Sequence, residues 1–232
     1  MIAYWAFLAV AIGLPLAALA LVTAHRPPAR DRIAATIAMA FVAIGYTAPW
    51  DGWLIARGVW QYETAILARV GPIPIEELGF VAGQALLVGL LVWRFDPIET
   101  TATVDRRDRV LGAVAGLAVS IVGFAIASRP GGLYLGAILA WAGPVFALQW
   151  GVDWRALWAR RRTVAWAIGL PTLSLWLVDW VAVTRDLWVF ADSSVTGLAL
   201  WGLPIEEATF FLVTNAFLVQ GLVLYAAVRP TD

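Results

Sequence analysis

The sequence predicts an all-α integral membrane protein with seven transmembrane helices, arranged as two parallel three-helix repeats. Three observations carry this prediction. The 232-residue chain is 62% hydrophobic and only 14% charged, a balance that is not found in soluble domains of this length. Seven apolar runs reach about 18 residues, the length of a membrane span. The sequence Pro-Ile-Glu-Glu occurs twice, at Pro74–Glu77 and Pro204–Glu207.

The spans follow from hydropathy, and the mean hydropathy of the whole chain is +0.81. Several runs contain Gly or Pro, which are more frequent in membrane helices than in soluble ones. The first run lacks the basic segment and the cleavage site of a signal peptide. The predicted spans are residues 2–22, 33–50, 73–93, 110–128, 132–150, 163–180 and 203–228.

The repeat extends beyond the two acidic motifs. Asp51 precedes Trp60 by nine residues, and Asp179 precedes Trp188 by the same distance. One further pair of residues recurs at a similar offset, since Tyr4 and Pro15 are echoed by Tyr134 and Pro144. A shared period of about 130 residues indicates a tandem duplication.

The duplication predicts the domain organisation. Residues 1–94 form the first repeat, 95–130 form a linker with the fourth span, and 131–232 form the second repeat. Because one span separates the repeats, spans one and five run in the same direction, and a pseudo-twofold axis lies along the membrane normal. Both acidic motifs then lie on one side of the bilayer, and spans three and seven approach a central cavity.

The arginines predict the orientation in the cell (inner) membrane. Basic residues concentrate on the cytoplasmic side, so we expect the N-terminus and the acidic motifs outside and the C-terminus in the cytoplasm. The cytoplasmic set has twelve arginines: Arg26, Arg30, Arg32, Arg94, Arg106, Arg107, Arg109, Arg155, Arg160, Arg161, Arg162 and Arg229. The external set has four: Arg57, Arg69, Arg129 and Arg185.

Missing residue types exclude several functions. The chain has no cysteine, which excludes disulfides, thiolate metal sites and cysteine nucleophiles. All sixteen basic residues are arginine, so the lysine that a retinal Schiff base requires is lacking. The single histidine, His25, lies in a short loop beside Arg26, and we expect it to be solvated. Zero net charge gives no indication of nucleic-acid binding, and we expect no metal site.

Each acidic motif is expected to open a helix. Proline suits the first helical turn, and carboxylates there complement the helix dipole, so solvated capping acids are the simplest interpretation. Two copies, each with an upstream Asp and Trp, favour a chemical role. Glu76 and Glu77 differ by about 100° around the helix, so only one of them can face the protein interior. The same holds for Glu206 and Glu207.

Aromatic and polar residues follow each acidic motif at helical spacings: Phe80 and Gln84 in one copy, Phe210, Phe211 and Thr214 in the other. An apolar, aromatic cavity topped by acids raises the pKa of a carboxyl group through desolvation and like-charge repulsion. The neutral acid is then a proton donor, and the aromatic faces would stabilise a carbocation. This combination favours acid-triggered cyclisation of an alkene.

The aspartates leave two interpretations open. Asp51 and Asp179 are expected to close spans two and six, and Arg57 and Arg185 follow them by six residues. Each aspartate therefore either pairs with its arginine or takes part directly in catalysis. The aromatic residues of the loops between spans fit an interfacial belt, yet they cluster around the acids.

These residues resemble the membrane lycopene cyclases of the heterodimeric bacterial, archaeal and fungal type. That family has a Pro-x-Glu-Glu span opening and an upstream Asn-Asp-x-x-Ala-x-x-x-Gly-x-Trp-x-Phe block. The second half matches at Asp179, Ala182, Trp188, Phe190, Pro204, Glu206, Glu207, Phe210 and Phe211, and it departs at Val178 and Asp186. The first half matches at Asp51, Gly58, Trp60, Pro74, Glu76, Glu77 and Phe80, and it departs at Trp50, Leu54 and Tyr62.

The resemblance covers nearly the whole chain, and it implies two halves fused in one polypeptide. It implies proton-initiated closure of a linear carotenoid ψ end group to a β or ε ring, without net redox and without a cofactor. The implied catalytic residues are Glu76, Glu77, Glu206, Glu207, Asp51 and Asp179, with Glu206 or Glu76 preferred as the acid. The implied substrate-binding residues are Trp60, Phe80, Trp188, Phe190, Phe210 and Phe211.

Other functions remain open at this point. A carotenoid hydratase, a C50-carotenoid cyclase or a membrane terpene cyclase would use the same proton-initiated chemistry. A small transporter is the alternative from another class, since repeats with intramembrane acids are typical of transporters. The expected partners are a lipophilic linear carotenoid and membrane lipid, and homo-oligomerisation stays open.

Overall fold

A computed structural model describes residues 3–95 and 104–228. Seven of its helices are long and apolar enough to cross a membrane, so the prediction of a seven-helix membrane protein is confirmed. The predicted cytoplasmic C-terminus includes Arg229 and Asp232, which lie outside the described residues. The helices are α1 Tyr4–Ala24, α2 Arg30–Ala56, α3 Ile75–Arg94, α4 Arg106–Ala127, α5 Leu133–Ala159, α6 Arg161–Thr184 and α7 Ile205–Ala227.

Helices α2 and α6 extend beyond their apolar runs. The expectation that Asp51 and Asp179 close these spans is wrong, because α2 continues to Ala56 and α6 continues to Thr184. Both aspartates are buried, and the backbone hydrogen bonds of the helix continue past them whatever their side chains are. Their carboxyl groups therefore face the protein interior, about one turn or more from the helix ends.

The loops contain short strands that the all-α prediction missed. Three two-stranded antiparallel ribbons are present among the described residues, β1–β4, β2–β3 and β5–β6. Strands of two or three residues are too short to leave a periodic pattern in the sequence. They are β1 Trp60–Tyr62, β2 Arg69–Val70, β3 Ile73–Pro74, β4 Trp188–Phe190, β5 Ala199–Leu200 and β6 Leu203–Pro204.

The ribbons position the two acidic motifs. The β2–β3 hairpin leads directly into α3, and the β5–β6 hairpin leads directly into α7. The β1–β4 ribbon joins the two long loops to each other, with Trp60 opposite Phe190 and Tyr62 opposite Trp188. The glycines of the tight turns, Gly71 and Gly202, have φ values of 61° and 95°, a region that disfavours side chains with a Cβ.

The helices pack around α7, the most buried of the seven. Gln84 of α3 donates hydrogen bonds to Thr214 Oγ1 (3.1 Å) and Asn215 Oδ1 (2.9 Å) of α7. Helix α4 packs on α5 through small residues, since a Cβ on Gly116 would collide with the backbone nitrogen of Ala147. Helices α3 and α7 thus form the centre, and α4 is held at the periphery.

Candidate active site

A cavity of about 60 Å³, which we call the acidic pocket, lies between the two acidic motifs. Four carboxyl groups and three tyrosines contribute to its walls: Asp51, Glu77, Asp179, Glu207, Tyr4, Tyr62 and Tyr134. Within the described chain, no arginine or histidine lines it. The acids therefore have no positively charged partner in the pocket, and hydrogen bonds are the main means of stabilising any charge on them.

Glu77 is held by two tyrosines. Its Oε1 accepts hydrogen bonds from the hydroxyls of Tyr4 at 2.7 Å and Tyr62 at 2.6 Å. The indole of Trp60 in turn donates to the Tyr62 oxygen at 2.9 Å. Burial raises the pKa of the Tyr62 phenol, and the nearby carboxyl groups of Glu77 and Asp51 raise this pKa further. Tyr62 therefore stays protonated and remains a hydrogen-bond donor to Glu77.

Glu207 has a related but simpler environment. Its Oε1 accepts a hydrogen bond from the Tyr134 hydroxyl at 2.6 Å, and 73 residues separate these two partners. The same 73 residues separate Tyr4 from Glu77. The backbone nitrogens of both tyrosines are bound to loop carbonyls, Tyr4 to Ala65 and Tyr134 to Ser194. These bonds fix where each phenol enters the pocket.

The counterpart of Tyr62 in the second half is a phenylalanine. Trp60 and Trp188 correspond in the two loops, and two residues further on stand Tyr62 and Phe190. Phe190 lines the pocket but has no hydroxyl to donate. Glu207 therefore receives one phenolic hydrogen bond where Glu77 receives two.

The aspartates complete the acid cluster. Asp179 is only 1% exposed, and the carboxyl of Glu207 and the indole of Trp188 lie within hydrogen-bonding reach of its carboxyl, but neither of its oxygens forms a hydrogen bond of good geometry within the described residues. Asp51 faces the carboxyl groups of Glu77 and Glu207. An unpartnered buried polar group costs about 1–3 kcal/mol, so Asp179 is suited to carry a proton or to meet a ligand.

Neither aspartate is neutralised by the arginine that follows it. The guanidinium of Arg57 lies over the ring of Trp53, 4.4 Å from the ring centre. Among the described residues, Arg155 forms an ion pair with Asp108 at 2.8 Å. Neither of these residues lines the acidic pocket. The interpretation of Asp51 and Asp179 as arginine partners is therefore not supported by the geometry.

The first glutamate of each motif binds the preceding loop instead of lining the pocket. Glu76 Oε1 accepts the backbone N–H of Leu67 at 2.7 Å. Glu206 Oε1 accepts both the backbone N–H and the hydroxyl of Thr196, each at 2.7 Å. The two members of each pair do point in different directions, but the expectation that only one of them faces the interior is wrong, because Glu76 and Glu206 are also buried, at 5% and 0% exposure. The preference for Glu206 or Glu76 as the acid disagrees with this placement, because Glu77 and Glu207 are the pair in the pocket.

Aromatic rings supply most of the remaining wall. Edge-to-face and stacked contacts link them, including Phe80 with Phe211 at 6.0 Å and Tyr134 with Phe190 at 5.8 Å between ring centres. All of the predicted substrate-binding residues line the acidic pocket: Trp60, Phe80, Trp188, Phe190, Phe210 and Phe211.

The three tyrosines are not among the predicted site residues. Tyr62 was considered only as a departure from the family pattern. Tyr4 and Tyr134 are separated along the chain by the same distance as Glu77 and Glu207, and this equality is the signal that could have paired each phenol with its acid.

Comparison with known proteins identifies relatives along nearly the whole chain. The family model described as "Lycopene cyclase" matches residues 3–95 and 133–225. The lycopene beta-cyclase of Halobacterium salinarum is 48% identical over 227 residues, which cover 96% of this chain and 95% of that protein.

Fungal relatives are more distant and much longer. The bifunctional lycopene cyclase/phytoene synthase of Pyrenophora tritici-repentis is 40% identical over 198 residues, which cover 78% of this chain and 34% of that protein. The protein of the same name from Arthroderma gypseum is 34% identical over 203 residues, with the same coverage of both chains. No solved structure matches the chain.

Proposed function

The chain belongs to the lycopene cyclase family, and we propose that it closes the ψ end group of lycopene to a β ring. Its function is that of a carotenoid cyclase, and the related Halobacterium salinarum protein is a lycopene beta-cyclase. The observation that carries the detailed proposal is the acidic pocket itself. It combines four carboxyl groups with aromatic walls and no lining arginine or histidine among the described residues.

The reaction requires one proton to be added and one to be removed. A carboxylic acid protonates C2 of the ψ end group and leaves a cation at C1. The C5=C6 double bond attacks C1, which closes the six-membered ring and moves the cation to C5. Loss of the proton on C6 then forms the C5=C6 bond of the β ring. Atoms and electrons balance, so the reaction is an isomerisation.

We infer that Asp179 and Glu207 form the proton donor. Both are buried side by side, and two adjacent carboxyl groups in an apolar site favour a shared proton over two charges. The unpartnered oxygens of Asp179 support this inference, because a proton between the two groups would satisfy one of them. The donated proton would come from this pair.

We infer that Glu77 accepts the proton from C6. The two hydroxyls of Tyr4 and Tyr62 are donors that suit an ionised carboxylate, which can only accept hydrogen bonds. Asp51, which faces both glutamates, lies between the donor and the acceptor sides and helps to position the charge. Before the next turnover Glu77 would release this proton to solvent and the Asp179–Glu207 pair would take one up, which restores both groups.

The aromatic walls would hold the cation without reacting with it. Ring faces attract a cation through their quadrupole, and they lack lone pairs that would trap it. They also exclude water, which would quench the cation to an alcohol. This role for Trp60, Trp188 and Phe190 is supported by their position in the pocket wall and by the pairing of their strands in the β1–β4 ribbon.

We further propose that the chain is an internal duplication fused in one polypeptide, with halves at 1–94 and 131–232 and a linker at 95–130. The family match falls on two separate segments. The identical Tyr–Glu separations and the two hairpins before α3 and α7 add support. The parallel arrangement of the halves and the external position of the acidic motifs, based on the arginine distribution, belong to the same proposal.

The proposed function is tested by expression in lycopene-accumulating bacteria, followed by chromatography of the pigments. We expect conversion of lycopene to a carotenoid with β rings. The reconstituted protein in deuterated buffer should add one deuterium at C2 of each new ring, read by mass spectrometry. An unchanged lycopene peak with the protein present in the membrane would contradict the substrate, and rings without deuterium would contradict acid initiation.

A further inference from the structure

A second cavity, which we call the lateral groove, begins where the acidic pocket ends. Its volume is about 570 Å³, and its walls come mainly from α2, α5 and α7. Along α7 it extends from Phe210 to Val228, which corresponds to about 27 Å at the helical rise of 1.5 Å per residue. This length is close to the hydrocarbon thickness of a bilayer, about 30 Å.

The lateral groove and the acidic pocket meet at Phe210, whose side chain lines both. A stack of aromatic rings marks the junction. Trp50 lies 4.7 Å from Trp141 and 5.8 Å from Phe210 between ring centres, nearly parallel to the latter. A chain that leaves the acidic pocket beside Phe210 therefore passes along flat ring faces into the groove.

The lateral groove is open on the side that faces the membrane. Val42 of α2 and Leu148 of α5, on opposite rims, are 63% and 69% exposed. Tyr46 and Trp141 bridge the two rims near the junction, where the tyrosine hydroxyl donates to the Trp141 carbonyl at 2.8 Å. A long apolar molecule can therefore enter sideways from the lipid without passing through water.

The corresponding space in the first half is filled. Phe80, the counterpart of Phe210 in the first repeat, packs in a cluster with Ile12, Leu175 and Phe211. A Cβ on Gly83 would lie 2.5 Å from Ile12 Cγ2, so α1 and α3 are in close contact there. The path for a long chain is thus present beside Phe210 and blocked beside Phe80.

We propose that the lateral groove binds the polyene chain of the carotenoid whose end group lies in the acidic pocket. This inference rests on the proposed function. The conjugated chain is a straight, apolar rod, and the groove offers a continuous apolar channel of membrane length that starts at the site of reaction. The polyene position fixes the end group at one depth, so that C2 meets the acids.

The test fills the lateral groove without touching the acidic pocket. Ala43 of α2 lines the groove, whereas Ala38 of the same helix is exposed and is not a lining residue, so Ala43→Trp and Ala38→Trp are matched variants. Each is assayed with lycopene and with a short apo-carotenoid that has a ψ end group but a polyene too short to reach Ala43. A second filling variant, Leu148→Trp, tests the opposite rim.

We expect Ala43→Trp to lower kcat/KM for lycopene by about tenfold or more, the ratio produced by about 1.4 kcal/mol of lost binding. The short substrate should be converted as by the unmodified protein, and Ala38→Trp should leave both substrates unaffected. Lycopene bound to the purified protein, measured by its visible absorption, should fall in parallel. Leu148→Trp should show the same selectivity to a smaller extent.

Two results would overturn the proposal. Unchanged lycopene turnover in both filling variants would show that the polyene lies elsewhere. Equal losses for the long and the short substrate would show an effect on the acidic pocket or on folding. Failure of the proposed function would be recognised separately, because the unmodified protein would then convert neither substrate.

Discussion

The two acidic motifs share one framework, and their pocket glutamates differ by one phenolic hydrogen bond. In each, the second glutamate accepts a bond from a tyrosine 73 residues earlier, while the first glutamate binds the loop before the helix. The first motif alone adds Tyr62 as a second phenolic donor to Glu77. Both motifs have the same frame, and we propose that the chemistry of the two acids differs, with proton acceptance by Glu77 and donation by Glu207.

The strongest test of this comparison replaces each pocket glutamate by glutamine. Glu207→Gln removes the donor, so lycopene should stay linear, with a loss of about 10²–10⁴-fold, the usual contribution of a general acid. Glu77→Gln leaves the donor in place, so cyclisation should begin but end in ε rings or hydroxylated products. Pigment chromatography normalised to protein in the membrane distinguishes the two patterns.

The matched control is Glu63→Gln, a change at an exposed glutamate directly after β1. It should leave the pigment composition unchanged. If Glu207→Gln and Glu77→Gln gave the same product pattern, the two glutamates would not have the separate roles assigned here.

A smaller effect is expected from the phenols. Tyr134→Phe removes the phenolic donor of Glu207, whereas Tyr4→Phe leaves Glu77 with Tyr62. A hydrogen bond to a charged group contributes about 1.5–3 kcal/mol, so Tyr134→Phe should slow single turnover roughly tenfold to hundredfold. Tyr4→Phe should slow it less. Equal rates in the two variants would mean that the additional hydrogen bond from Tyr62 to Glu77 does not contribute to the single-turnover rate.

A further test exchanges the residues at which the two motifs differ, Tyr62 and Phe190. Tyr62→Phe gives the first motif the environment of the second, and Phe190→Tyr offers the second motif an additional hydroxyl. We expect Tyr62→Phe to increase the fraction of misplaced double bonds several-fold, with a modest fall in rate, about that of one lost hydrogen bond. Phe190→Tyr should speed protonation of the substrate without changing the ring type, because a second phenolic donor would stabilise the carboxylate left when Glu207 gives up its proton. Rapid-quench measurements in reconstituted membranes would detect the change.

The smallest effect should come from the first glutamates. Glu206→Gln and Glu76→Gln weaken charge-assisted bonds to the loops but keep an acceptor oxygen. We expect a loss of about 0.5–1.5 kcal/mol in unfolding free energy, larger for Glu206 because it accepts two bonds from Thr196. Thermal unfolding in detergent measures the loss. A Glu206→Gln protein as inactive as Glu207→Gln would return the acid role to Glu206.

The helices and the aromatic walls of the pocket could be predicted because the hydropathy pattern and the recurring motifs can be read directly from the sequence. The sequence could not predict which glutamate of each pair lines the acidic pocket. Two neighbours on a helix differ by about 100°, and the sequence does not say which of these directions leads to the pocket. That direction is set by loop N–H groups such as that of Leu67. The Tyr4–Glu77 bond likewise joins residues 73 positions apart, which local patterns do not connect.

The boundaries of α2 and α6 were missed for a different reason. Asp51 and Asp179 end the apolar runs, and a charge was expected to mark the water boundary. A buried carboxylate with a functional role ends the apolar run in the sequence, but the helix continues past it. Helix ends predicted from hydropathy are therefore least accurate at functional positions.

The register of the β1–β4 ribbon makes the two loops that contain β1 and β4 intolerant of changes in length. Trp60 and Tyr62 lie on one side of the strand and Gln61 on the other, because successive side chains in a strand alternate. Inserting or deleting a single residue ahead of β1 would reverse this phase, so that an amide would enter the pocket and both aromatic groups would leave it. Variation among relatives in these loops should therefore consist of substitutions, with length changes confined to the segments outside the ribbon.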